Sequence, residues 1–139
     1  MVRKVLIASD GSKGADKALA EAVELAKRVK AELHMVCVEE LPRLPATIDE
    51  VVEEKREADH RFAEVIAQAR MLAKSERVKL ETHVISGHAV PAIVEFIKRQ
   101  RFDLLVVGFM GHSALYNRLI GSTTDRLVEL APCSVLVVK

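Results

Sequence analysis

Apolar residues along the chain follow two alternating rhythms: short, nearly unbroken runs, and longer stretches in which they return every third or fourth position. Residues 2–9 form the first short run and end in Asp10, Gly11 and Ser12, which reads as a strand, a turn and a helix N-cap. From Ala15 onward, Ala18, Leu19, Ala22, Leu25, Ala26 and Val29 lie on one helical stripe, leaving Lys17, Glu21, Glu24 and Lys27 to water. Residues 32–38 are a second strand-like run, closed by Glu39, Glu40 and a loop marked by Pro42 and Pro45. Helical spacing returns over residues 48–74, through Ile48, Val51, Val52, Ala58, Phe62, Val65, Ile66, Ala69 and Leu72, across a charged break at residues 53–57.

The second half repeats the rhythm. Residues 78–85 alternate with period two, as an edge strand with one wetter face would, and Gly87 ends them. Val90, Ile93, Val94 and Ile97 mark a third helix, and the almost wholly apolar residues 103–107 read as a central strand running into Gly108. Ser122 opens a short helix with Leu127, Val128 and Ala131 inward, and residues 134–138 close the chain as a fifth strand. Such alternation predicts a three-layer α/β fold, a parallel sheet with helices on both faces. Ligands of such sheets sit outside the carboxyl ends of the strands, the edge that carries the loops after the first and fourth strands.

Half of the 139 residues are hydrophobic and 29% are charged, enough apolar surface to offset the entropy of ordering one domain spanning residues 1–139. The 21 Lys and Arg against 20 Asp and Glu leave a net charge of +1, so no summed field draws the chain to nucleic acid or an anionic membrane. With 4% aromatic residues and no Trp, little is available to stack bases. The most continuous apolar stretch, residues 104–110, is broken by glycine and falls well short of the roughly 20 residues that span a bilayer. The start of the chain lacks the pattern of a signal peptide, so the expected compartment is the cytoplasm. Cys37 and Cys133 stand singly in apolar runs and read as reduced, buried packing residues.

The chemistry concentrates after the fourth strand, where Gly108 and Gly111 frame a tight turn and Gly121 and Ser122 precede a helix. Glycines let a backbone approach a ligand without a Cβ between them. The first amides of a helix lack internal partners and sit at its positive dipole end, so those of Ser122 and Thr123 suit phosphate oxygens. Each such charge-assisted bond contributes about 1.5–3 kcal/mol. An ordinary loop glycine and an ordinary N-cap serine account for the same residues. Neither GxGxxG nor GxxxxGK(S/T) occurs.

The spacing Gly108-x2-Gly111-x9-Gly121-Ser122 resembles the G-x2-G-x9-G-(S/T) motif of ATP-binding universal stress proteins. The chain is similar to a single-domain member from end to end, through Ser9-Asp10-Gly11-Ser12, Gly87, residues 103–108 and residues 132–138. The resemblance implies a five-stranded parallel sheet in the order 3-2-1-4-5, with adenine nucleotide across the ends of the first and fourth strands. It implies that Asp10 contacts the ribose or the phosphate-metal region and that Val38 lies against adenine. Gly108, Gly111, Gly121, Ser122 and Thr123 would hold the ribose and phosphates of ATP, with magnesium bridging phosphate oxygens. Members that bind ATP usually carry Ser or Thr after the first glycine and often a basic residue next; Phe109 and Met110 stand there instead, so the backbone donors carry the expectation.

Other polar residues read more plainly. Asp10 also suits a turn whose carboxylate caps the first helix. His34 and His83 lie in neighbouring strands without a third metal ligand at suitable spacing, and read as strand-face histidines. His88 and His112 fall in loops on the ligand edge, where they could touch phosphate but without a catalytic role, and Arg118, the nearest base in the loop, either replaces the missing basic residue or is solvated. Residues 134–138 form a flat apolar edge in the implied order, where family members commonly pair, so a homodimer is expected. The expected function is a stress-response regulatory module that binds adenine nucleotide. A nucleotide-free dimeric interaction protein and a slow ATP hydrolase are the alternatives, the latter without a visible base, Walker motif or water-orienting residue.

Overall fold

The structure, a computed structural model, describes residues 1–40, 47–110 and 120–139, so Pro42, Pro45, Gly111, His112 and Arg118 lie outside the described residues. Among the described residues five strands and four helices alternate: β1 (Lys4–Ala8), α1 (Lys13–Val29), β2 (Glu32–Glu40), α2 (Ile48–Ser75), β3 (Leu80–Gly87), α3 (Ala89–Gln100), β4 (Leu104–Gly108), α4 (Ser122–Leu130) and β5 (Ser134–Val138). All four strand pairings are parallel and the order is β3-β2-β1-β4-β5, the order implied by the resemblance.

Period-two alternation divides each strand between two cores. Val5 and Ile7, Leu33, Met35 and Cys37, and Leu104 and Val106 pack with α1 and α2 on one face. Leu6, Val36, Leu105 and Val107 pack on the other with Ile93, Phe96 and Ile97 of α3, Phe102, and Leu127 of α4. Cys37 and Cys133 therefore belong to opposite faces of the sheet, and both are free thiols. Cys37 is fully buried as expected, whereas Cys133 is only half-buried at the entry to an edge strand.

Local chemistry sets the element ends. The Ser12 hydroxyl caps α1 by accepting from the Ala15 amide at 3.2 Å. Gly11 before it has φ +79°, and a Cβ there would come within 2.9 Å of Val65 Cγ2. The Asp103 carboxylate accepts from the amides of Arg3 and Lys4, at 3.0 and 3.2 Å to its Oδ2, and so ties the starts of β1 and β4 together.

Several expectations change, Val29 of α1 being 41% exposed rather than on the covered stripe. The charged residues 53–57 do not interrupt α2, which opens on a capping box between Thr47 and Glu50. Ile48, Val51 and Val52 are exposed rather than inward, because 28 residues of helix extend about 42 Å while the nine residues of β2 extend about 30 Å. In α4 the N-cap is Gly121, not Ser122, and Val128 is 47% exposed while Thr124 and Leu127 are buried. A nine-residue helix over a sheet edge has only one covered stripe, and Thr124 and Leu127, three apart, take it.

Candidate functional site

The carboxyl ends of β1, β2 and β4 open onto one cleft of about 370 Å³. Its floor and walls include Ser9, Asp10, Val36, Val38, Val107, Gly108, Met110, Gly121, Ser122 and Thr123. Six of the seven residues singled out in the sequence thus meet in one place, and the seventh, Gly111, lies outside the described residues.

Three helix amino ends line this cleft, and they differ: at α1 the Ser12 hydroxyl already accepts from the Ala15 amide. At α3 the amide of Ala89 donates to Glu40 Oε1 at 3.2 Å, with His88 Nδ1 3.6 Å from Oε2, so a carboxylate already meets the dipole there. At α4 the N-cap is Gly121, which has no side chain to offer, and Ser122 and Thr123 line the cleft directly. The first internal bond of α4 runs from the Asp125 amide to the Gly121 carbonyl, leaving the amides before it without a helical acceptor.

Backbone bonds brace this end. The Gly121 amide donates to the Phe109 carbonyl at 2.7 Å, and the Phe109 amide donates to the Val138 carbonyl at 3.0 Å. The Thr124 hydroxyl donates to the Gly108 carbonyl at 2.7 Å. Because the Gly121 N–H is engaged in the loop itself, anion contacts at this helix end fall to Ser122 and Thr123. Phe109 does not line the cleft; its ring lies with the Lys139 ammonium 5.3 Å from its centroid. Met110 does line it.

Gly108 serves packing as well as access. A Cβ on it would meet the carbonyl carbon and oxygen of Gly14 at 2.7 Å and the Ala15 amide nitrogen at 3.1 Å, so two glycines let α1 lie directly against the end of β4. Asp10 forms an Asx turn, its Oδ1 accepting from the Ser12 amide at 3.0 Å. It thus braces the N-cap of α1 rather than capping the helix itself.

Arg61, Phe62 and Glu40 also line the cleft and were not singled out in the sequence. No local pattern sets Arg61 apart; the placement of α2 brings it here. Burial pushes the thiol of nearby Cys37 up to about 11, with Asp10 adding to the rise and the Arg61 charge opposing it. Cys37 is thus a protonated packing residue at neutral pH and not a nucleophile.

A profile described as the universal stress protein family matches residues 1–139. The chain belongs to that family. This universal stress protein is 31% identical over 147 residues to a universal stress protein of Methanocaldococcus jannaschii, a match covering 100% of the chain and 83% of the relative. Its fold superposes on the universal stress protein UspA from Lactobacillus plantarum with a TM-score of 0.86 at 28% identity, covering 99% and 98% of the two chains. A universal stress protein solved in complex with cAMP matches with a TM-score of 0.78 at 25% identity, covering 99% of this chain and 97% of that one. Among the described residues no helix is long and apolar enough to cross a membrane.

Proposed function

We propose that this universal stress protein is a regulatory module that binds an adenine nucleotide, ATP with magnesium, in the cleft at the ends of β1, β2 and β4. The observation that carries the reading is the amino end of α4, capped by a residue without a side chain and opening through Ser122 and Thr123 onto that cleft. A volume of about 370 Å³ falls within the range of small-molecule sites, and the relative solved with cAMP supports the adenylate class. The triphosphate lies against Ser122 and Thr123, with Gly108 and Gly121 beside it. Val38 borders adenine, and Arg61 supplies the positive charge that Phe109 and Met110 do not.

Asp10 faces the ribose or the metal. The carboxylate of Asp10 and the hydroxyls of Ser122 and Thr123 are the hard oxygen donors magnesium takes. When bound, magnesium neutralises phosphate charge that Asp10 would otherwise repel. Nucleotide occupancy then shifts conformation or assembly and changes what the protein contacts.

Mass spectrometry of the protein denatured as purified, together with calorimetry against ATP and magnesium, tests the reading. Retained adenylate or one-to-one binding is expected. A cleft that takes neither leaves the nucleotide-free interaction protein as the surviving reading.

Assembly follows from β5, an edge strand with Leu136 39% exposed. Unpaired amides and carbonyls on a flat apolar edge favour a second copy across a two-fold axis. Light scattering at micromolar concentration is expected to return twice the chain mass, and a monomer there removes the dimer.

A further inference from the structure

A second polar cluster lies away from the nucleotide cleft, on the face of the sheet covered by α3. The pairing of β2 with β3 sets His34 opposite Glu81 and Val36 opposite His83. With period-two alternation, Glu32, His34, Glu81 and His83 therefore all project from the same face. His34 Nδ1 lies 2.9 Å from His83 Nε2 and 3.5 Å from Glu81 Oε2, and the three residues can offer ligand atoms that all lie within 4.8 Å of one another.

We propose that His34, Glu81 and His83 form a binding site for a divalent transition-metal ion of the zinc class, with Glu32 as the carboxylate that orients His34. Two imidazole nitrogens and one carboxylate oxygen are a donor set that zinc favours over magnesium or calcium. Bonds of about 2.0–2.1 Å in a tetrahedron place neighbouring ligand atoms about 3.3 Å apart. The His34 to Glu81 distance already suits this; the two rings, which meet nitrogen to nitrogen at 2.9 Å, must part by a few tenths of an ångström and turn so that both lone pairs converge on the ion, and the exposed Glu81 side chain must swing to close the set, whose atoms lie within 4.8 Å of one another.

The unsatisfied atom of His34 supports the assignment. His34 is 5% exposed, and its Nε2 is buried without a hydrogen-bond partner among the described residues; Glu32 Oε2 lies 3.7 Å from it, too far for a hydrogen bond. A metal on Nδ1 requires the His34 proton to sit on Nε2, where it faces the Glu32 carboxylate, the second-sphere arrangement that fixes the tautomer of a ligating histidine. Without a metal, the two histidines share one N–H···N bond that can run in either direction, and the His34 proton is not held to Nε2.

The surroundings are those of a half-dry metal pocket. Phe102 lies edge-on to His34 and Phe96 is tilted against His83, each with ring centroids 5.0 Å apart. Glu81 is exposed, so the metal has a path in and a fourth position open to water. Two cations face the group. Lys4 is engaged with the Gln100 carbonyl at 2.7 Å, and Lys79 lies 3.9 Å from the other oxygen of Glu81. Two carboxylates, Glu32 and Glu81, offset them. The bound ion staples edge strand β3 to β2, about four residues or 13 Å along the strand from Val38, so the site stands or falls independently of nucleotide binding.

The test uses the tag-free chain, stripped with chelator and free of nucleotide, titrated with zinc chloride by calorimetry and followed by thermal unfolding. One equivalent is expected to bind and to raise Tm by about 5–10 °C at free zinc a hundred times the dissociation constant. His83→Asn and Glu81→Gln, both at partly or fully exposed positions that keep the fold, are expected to weaken zinc by about 100-fold or more, and Glu32→Gln by about 10- to 100-fold. His60→Asn, on exposed α2, should bind as the parent does. Cobalt in place of zinc should give the strong visible absorption of a four-coordinate ion, lost in His83→Asn. Failure of the parent to bind zinc, or unchanged affinity in both His83→Asn and Glu81→Gln, overturns the site.

Discussion

Gly108→Ala is expected to destabilise the protein by about 3 kcal/mol, at the upper end of what overpacking a core position costs. The new methyl would lie 2.7 Å from the carbonyl carbon and oxygen of Gly14 and 3.1 Å from the Ala15 nitrogen. These are backbone atoms in the first turn of α1, so no side-chain rotation relieves the overlap; the helix must move off β4 as a body. α1 contributes Ala18, Leu19, Ala22, Val23 and Ala26 to the core, and the displacement would loosen that whole layer. In a chain of this size Tm should fall on the order of 10 °C. Gly121→Ala is the informative contrast. Its φ of −61° suits any residue and its Cβ would approach the Met110 oxygen at 3.2 Å, so a smaller loss of stability is expected, with its effect felt in the loop. Equal melting temperatures for Gly108→Ala and the parent would show that α1 does not press on β4.

Asp10→Ala should lower affinity for ATP and magnesium about ten- to a hundredfold, the loss of one charge-assisted contact of about 1.5–3 kcal/mol. Stability should fall less, because the carboxylate gives the fold an Asx turn to the Ser12 amide while Ser12 itself still caps α1. Arg61→Ala makes the complementary change. Arg61 is exposed on α2 and faces the cleft, so its loss should weaken ATP while sparing adenosine, with the difference shrinking as salt is raised. Calorimetry on both variants with both ligands, beside thermal melts, reads the separation. Equal losses of affinity and stability in Asp10→Ala would reduce its role to the turn, and an adenosine affinity that falls with that of ATP in Arg61→Ala would remove the phosphate contact.

Much of this site was legible along the chain because its parts are local. Asp10 comes two residues after β1, Val38 falls near the end of β2, Gly108 ends β4, and Gly121, Ser122 and Thr123 open α4, so finding the strands found the edge where they meet. The reading failed where an outcome depended on how far one element reaches past another. Ile48, Val51 and Val52 keep perfect helical spacing but have no sheet beneath them, and Val128 loses its place in the core to Thr124 on a short helix.

By itself, then, the sequence determined the α/β alternation, the parallel sheet and the glycine-bearing loop, because hydrophobic period, N-cap residues and glycine spacing act within a few turns of chain. The tertiary structure alone decided which distant groups became neighbours. It brought Arg61 to the cleft, backed Gly108 against Gly14, engaged the Glu40 carboxylate at the amino end of α3 while leaving that of α4 open, and set His34 opposite Glu81 across a strand pairing. Those contacts join residues tens of positions apart, and their distances follow from sheet register and helix placement, which no local periodicity encodes.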